Sequence, residues 1–109
     1  MNATEWHRIT LSVLACGGNP TEFGKDKDGN SINLIADGTY NRDGLGRQGI
    51  NGYIWALIAL DSNNYSVPSN ALNSKESIIN SIISAQNSDG GWALTSGDSD
   101  VDLTAMALQ

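Results

Sequence analysis

The sequence predicts an all-α chain, and three features carry that expectation. Apolar residues recur at helical spacing in four segments. Between these segments lie connections rich in Gly, Asn and Asp, residues that stop helices and make turns. The segments also alternate in kind: amphipathic, then fully apolar, then amphipathic, then apolar again. An amphipathic helix covers a core, whereas a helix without a polar stripe must itself be covered. The alternation therefore reads as outer, inner, outer, inner.

The first helix is expected from about Thr4 to Cys16. Trp6, Ile9, Val13 and Cys16 fall at helical spacing, with Leu14 beside them. Thr4 is the expected N-cap. Gly17-Gly18 and Asn19-Pro20 form the stop, because Gly takes the left-handed cap and Pro cannot continue the helix. Cys16 is expected to be a small buried core residue, and His7 to lie half exposed near the helix start.

A long connection follows, from Thr21 to Gly49. Asp26, Asp28 and Asn30 suggest a calcium loop, but the spacing fails. With Asp26 and Asp28 in the third and fifth places, the first place is Gly24 and the twelfth is Ile35, neither of which supplies a ligating side chain. A turn at Asp28-Gly29, with at most a short hairpin, is expected instead. A helical turn from Asn33 to Ala36 should follow, with Leu34 and Ile35 pinning the loop to the core.

The second helix is expected from Ile50 to about Asp61. Ile54 to Leu60 are apolar without a break, so this helix should be covered on nearly all sides. The third is expected from Lys75 to Gln86, capped by Asn73 or Ser74. Ile78, Ile79, Ile82, Ile83 and Ala85 should form its buried face. The fourth begins after Ser99 or Asp100 and reads VDLTAMALQ. The short runs Leu57-Ile58-Ala59-Leu60 and Ala105-Met106-Ala107-Leu108 are similar, and suggest two copies of a helical hairpin. Hairpin one spans about 4–61 and hairpin two about 74–109, within a single domain 1–109. The inner helices need more cover than two hairpins supply, so the expectation is a fragment of a longer protein.

Composition narrows the function. Six Lys and Arg stand against twelve Asp and Glu, a net charge of -6. Such a chain lacks the basic patch that nucleic acid or an anionic membrane requires. No apolar run approaches the roughly 20 residues of a membrane span. The first ten residues have neither the basic start nor the apolar centre of a secretion signal. Cys16 is the only cysteine and His7 the only histidine, so no zinc set is expected, nor any cofactor.

Gln86-x3-Gly90-x-Trp92 resembles the QW motif of squalene and oxidosqualene cyclases, with Ser81-Ile82 standing where that motif begins with an aromatic residue and Leu. Asp100-Val101-Asp102-Leu103-Thr104-Ala105 resembles the Asp-x-Asp-Asp-Thr-Ala run of class II terpene cyclases, with Leu103 replacing the second adjacent aspartate. QGINGYIWALIALDS and DVDLTAMALQ also look like prenyltransferase/squalene oxidase repeats in surface proteins of Gram-positive bacteria. The resemblance implies an α/α toroid of alternating outer and inner helices. It implies that Gln86, Gly90 and Trp92 tie an outer helix to the next inner one, and that the setting is extracellular or cell-surface.

Three functions follow as expectations. The first is a non-catalytic toroid segment that holds a small molecule or protein, or is purely structural. The second is a cyclase-like isomerase or lyase with Asp102 as general acid and Asp100 beside it. Against that, both aspartates sit where carboxylates cap a helix. The third is a cobalamin-carrier-like module, by analogy of fold alone. A ligand is expected at the N-terminal ends of the inner helices, near Asn51, Tyr53, Trp55 and Asp102, with Arg47, Gln48 and Asp98 close by. As a fragment, the chain is expected to self-associate through Ile54 to Leu60 and Ala105 to Leu108.

Overall fold

The chain folds into four α-helices, α1 (Ala3–Ala15), α2 (Asn51–Asp61), α3 (Lys75–Ser84) and α4 (Val101–Leu108), with a π-helical turn at Ala36–Tyr40 between the first two. These are the features of a computed structural model that describes all 109 residues. There is no strand, only one antiparallel bridge between Lys25 and Ser31. The fold is thus all-helical, as the periodicity predicts.

Helix α1 starts before the expected cap. Asn2 occupies the cap position and Thr4 lies inside the helix. The Asn2 N–H donates to the Glu5 carboxylate, while its carbonyl accepts from the Glu5 and Trp6 N–H groups. The helix stops at the glycines: Gly17 has φ +82° and donates to the Leu14 carbonyl, and Gly18 donates to Val13. Cys16 is exposed, contrary to expectation. It sits at the C-cap, past the last turn of the helix.

His7 is also corrected, in the opposite sense. It is 0% exposed, and its Nε2 lies 2.8 Å from the Gly38 carbonyl oxygen. The π-helical turn provides that acceptor. A side chain on Gly38 would place a Cβ 2.7 Å from Trp6 Cβ, so only glycine lets the turn come this close to α1. Leu34 and Ile35 pin the long connection, at 3% and 2% exposure. Upstream, Asp26 Oδ1 accepts from the Asp28 and Asn30 N–H groups, and Gly29 has φ +83°. That carboxylate closes a local turn.

Helix α2 is the hub, packing on α1, the π-helical turn, α3 and α4. Ile54, Ala56, Ala59 and Leu60 are buried, while Trp55, Leu57 and Ile58 are half-buried. The expected self-association face at Ile54 to Leu60 is therefore largely covered within the chain. Gly52 sits against the loop before α2, where an added Cβ would fall 1.9 Å from the Leu45 carbonyl oxygen.

Ser74 caps α3, its Oγ accepting from the Ser77 N–H at 3.0 Å. The buried face of α3 is narrower than the sequence implies. Ile78 and Ile82 are buried and Ile79 is half-buried, but Ile83 is 61% exposed and Ala85 is exposed. One straight helix on one neighbour buries an i, i+4 row, and its shoulders stay open. In α4 no residue is fully buried, and Val101 and Leu108 are 84% and 72% exposed. Leu103, Met106 and Ala107 alone touch the core.

The helix directions follow from contacts at their ends. An ion pair joins Lys75 at the start of α3 to Asp61 at the end of α2. Ser81 of α3 and its C-cap Ala85 share a cavity with Ile50 and Tyr53 at the start of α2, so α2 and α3 are antiparallel. The Ile50 N–H donates to the Leu94 carbonyl, on the approach to α4. At the far end, Asp61 and Ser62 share a cavity with Met106, Ala107 and Gln109. Helices α2 and α4 therefore run the same way. Helix α1 also begins beside the start of α2, since residues 1–4 share a cavity with Asn51 and Gly52.

Candidate functional site

Gln86, Gly90, Trp92 and Asp100 come together at the connection between α3 and α4. Helix α3 ends at Ser84, and the chain must reverse before α4 can run parallel to α2. Gly90, with φ +87°, makes the turn, and its N–H donates to the Asn87 carbonyl. Gln86 Nε2 donates to the Gly90 carbonyl at 2.8 Å, although Gln86 is itself exposed. The Asn87 N–H donates to the Gly91 carbonyl, and its side-chain amide to the Gly97 carbonyl and Ser99 Oγ.

Asp89 gathers the loop from below. Its Oδ1 accepts from the Ser99 hydroxyl at 2.6 Å and from the Gly91 N–H at 2.9 Å. The bond from Ser99, then that from Gly91, holds the Asp89 carboxyl below the ordinary carboxylate value.

Trp92 closes the junction. It is 6% exposed, and its indole N–H donates to the Ile82 carbonyl at 2.8 Å. Its backbone N–H donates to Thr104 Oγ1 in α4, and its carbonyl accepts from the Asp100 N–H. Trp92 thus contacts the end of α3, the start of α4 and the core that α2 dominates.

The two aspartates occupy different places. Asp100 is the N-cap of α4, and its Oδ1 accepts from the Leu103 N–H at 2.9 Å. Asp102 lies in the first turn of α4, exposed and without a side-chain partner. A general acid for an alkene or epoxide has to hold its proton in an apolar pocket, and Asp102 lines none. A cavity of about 260 Å³ with mostly apolar lining lies at the other end of α4, between Ile54, Leu57, Ile58, Ile82, Met106 and Ala107.

The expected ligand residues are dispersed. Asn51 lines one cavity with residues 1–4, Arg42 and Arg47. Tyr53 lines another with Ile50, Ser81 and Leu94. Asp100 borders a third with Gly91 and Thr104. Trp55 lines none of these three. No group of three or more His, Cys, Asp or Glu is placed to hold a metal ion, and no helix is long and apolar enough to cross a membrane.

Thr104 and Ile82 are members of the junction that the sequence reading missed. The spacing Trp92-x11-Thr104 carries no signal by itself, since the bond exists only once α4 has turned back on the loop. Comparison with protein-family models, curated proteins and solved structures finds no match to the chain.

Proposed function

We propose that the chain is a non-catalytic segment of an α/α toroid in a bacterial surface or secreted protein, where it serves to hold adjoining helices or a ligand in place. The observation that carries this reading is the Trp92 junction. One buried aromatic links α3 to α4, which is laid parallel to α2; in the toroid reading α3 is the outer helix and α2 and α4 are inner ones. A repeat built this way presents successive inner helices side by side. Helix α4, with Val101 and Leu108 exposed, is suited to further helices packed on its open side. The Asn-, Ser- and Asp-rich, Lys-poor composition and the repeat resemblance support the surface setting.

The aspartates favour structure over catalysis, with Asp100 engaged as a cap and Asp102 in solvent. The test is an assay with linear isoprenoids, comparing the wild-type chain with Asp102→Asn. The proposal expects no cyclised product from either. Turnover by the wild type that disappears in Asp102→Asn would replace this reading with that of a cyclase.

A further inference from the structure

We infer that the cavity where α1 and α2 begin is a binding site for a small oxyanion, the carboxylate or phosphate head of a ligand. In a chain with six cationic side chains and twelve acidic ones, two of the three arginines line this one cavity. Neither is paired with an acid, since the one ion pair in the molecule is that of Lys75 with Asp61. Arg42 is held in place over the Trp6 ring, 5.3 Å from its centroid, and donates to the carbonyls of Asp37 and Met1. Two of its five N–H donors are thereby engaged and three stay free. The Arg47 guanidinium makes no hydrogen bond within the protein. It lies over Gly44, where a Cβ would sit 2.7 Å from Nη2, so the missing side chain leaves it room.

A second observation points to the same place. Asn51 lines the cavity, and its Oδ1 is buried with no hydrogen-bond partner. Asn51 as a whole is half-buried, but a buried polar atom left unpaired is costly, and a half-turn about the last torsion exchanges Oδ1 for an Nδ2 donor. A bound oxyanion would give that donor an acceptor and meet the arginine forks, which match the geometry of carboxylate and phosphate alike. The N-terminal ends of α1 and α2 add the favourable ends of two helix dipoles. Asp43 is the only carboxylate in the lining. The cavity of about 70 Å³ admits a small head group rather than a lipid or a sugar chain, given that one water needs roughly 10–15 Å³. This inference is independent of the toroid reading.

The test titrates the 109-residue chain with inorganic phosphate and, separately, with acetate at constant ionic strength, following amide resonances by NMR. At least one anion should saturate, moving the Asn51 side-chain amide together with Gly52 and Gly44. Arg47→Gln should weaken that binding about tenfold or more, the loss expected for charge-assisted hydrogen bonds, with helix content unchanged. Arg8→Gln, which removes an exposed charge outside the cavity, should bind as the wild type does. Saturation by phosphate alone would define a phosphate site, and by acetate alone a carboxylate site. Linear, unsaturating shifts with both anions, or equal losses in Arg8→Gln and Arg47→Gln, would overturn the proposal.

Discussion

The indole N–H of Trp92 donates to the carbonyl of Ile82 at 2.8 Å, so the first buried side chain after the glycine turn is bonded back to the last turn of α3. This bond satisfies the one polar atom of a large buried ring and fixes where the chain reverses. Trp92→Ala should therefore destabilise the chain by about 3 kcal/mol or more, through the cavity it leaves and the loss of a link between three helices. Trp92→Phe should recover much of the packing but not the bond. Urea unfolding of both variants measures this. A loss within about 0.5 kcal/mol for Trp92→Ala, the range of a surface site, would contradict a packed junction.

His7 makes stability depend on pH. Its pKa is lowered from 6.5 to about 4, first by burial and then by the nearby Arg42 cation, with the Gly38 carbonyl opposing both. The unfolded chain thus binds a proton below about pH 6.5 that the folded chain takes up only near pH 4. Stability should fall as pH drops through that window, by up to about 3 kcal/mol, and level off below it. Asp89, whose value is lowered from 3.8, adds a loss only at more acidic pH. Unfolding at pH 7 and pH 4.5 should show the difference in the wild type and little of it in His7→Phe. Equal losses in both would remove His7 as the cause.

Asp100 and Asp102 should differ when each is changed alone. Asp100→Ala removes the acceptor of the Leu103 N–H and should cost about 1 kcal/mol. Asp102→Asn removes only an exposed charge near the positive end of a short helix, worth roughly 0.3–1 kcal/mol at low salt and less at high salt. Thermal unfolding at two salt concentrations separates them, since the cap hydrogen bond should persist where the dipole effect is screened. An Asp102→Asn loss larger than that of Asp100→Ala would mean that Asp102 has a partner the fold does not show.

The parts of this fold that were legible in the sequence are those decided within a few residues. Ser74 and Asp100 could each be read as one of two candidate caps, and Gly17 as a stop, because each acts on the backbone three or four positions away. Leu34 and Ile35 could be read as an anchor because they are an apolar pair in a polar loop. His7 could not, since its burial depends on Gly38, thirty-one residues away, and on a π-helical turn with no periodic signal. Ile83 and Cys16 were misread for a shared reason. Periodicity tells which side of a helix is apolar, but not how wide the contact is or where along the helix it ends. At the candidate site, the junction at Gln86, Gly90 and Trp92 was implied by the QW resemblance and not by spacing alone. Thr104 and Ile82, which complete it, are joined to Trp92 only by the tertiary fold.

The central claim is that α2 and α4 lie parallel, joined through the Trp92 junction, and one paramagnetic relaxation measurement tests it directly. With the exposed Cys16 changed to Ser, a nitroxide attached at Ser62→Cys marks the end of α2. Ser62 and Gln109 line the same cavity, whereas Val101 and Asp102 lie at the opposite end of α4. The amides of Ala107 to Gln109 should be broadened strongly and those of Val101 and Asp102 much less. Stronger broadening at Val101 and Asp102 than at Gln109 would mean that α4 runs against α2, and would contradict the account.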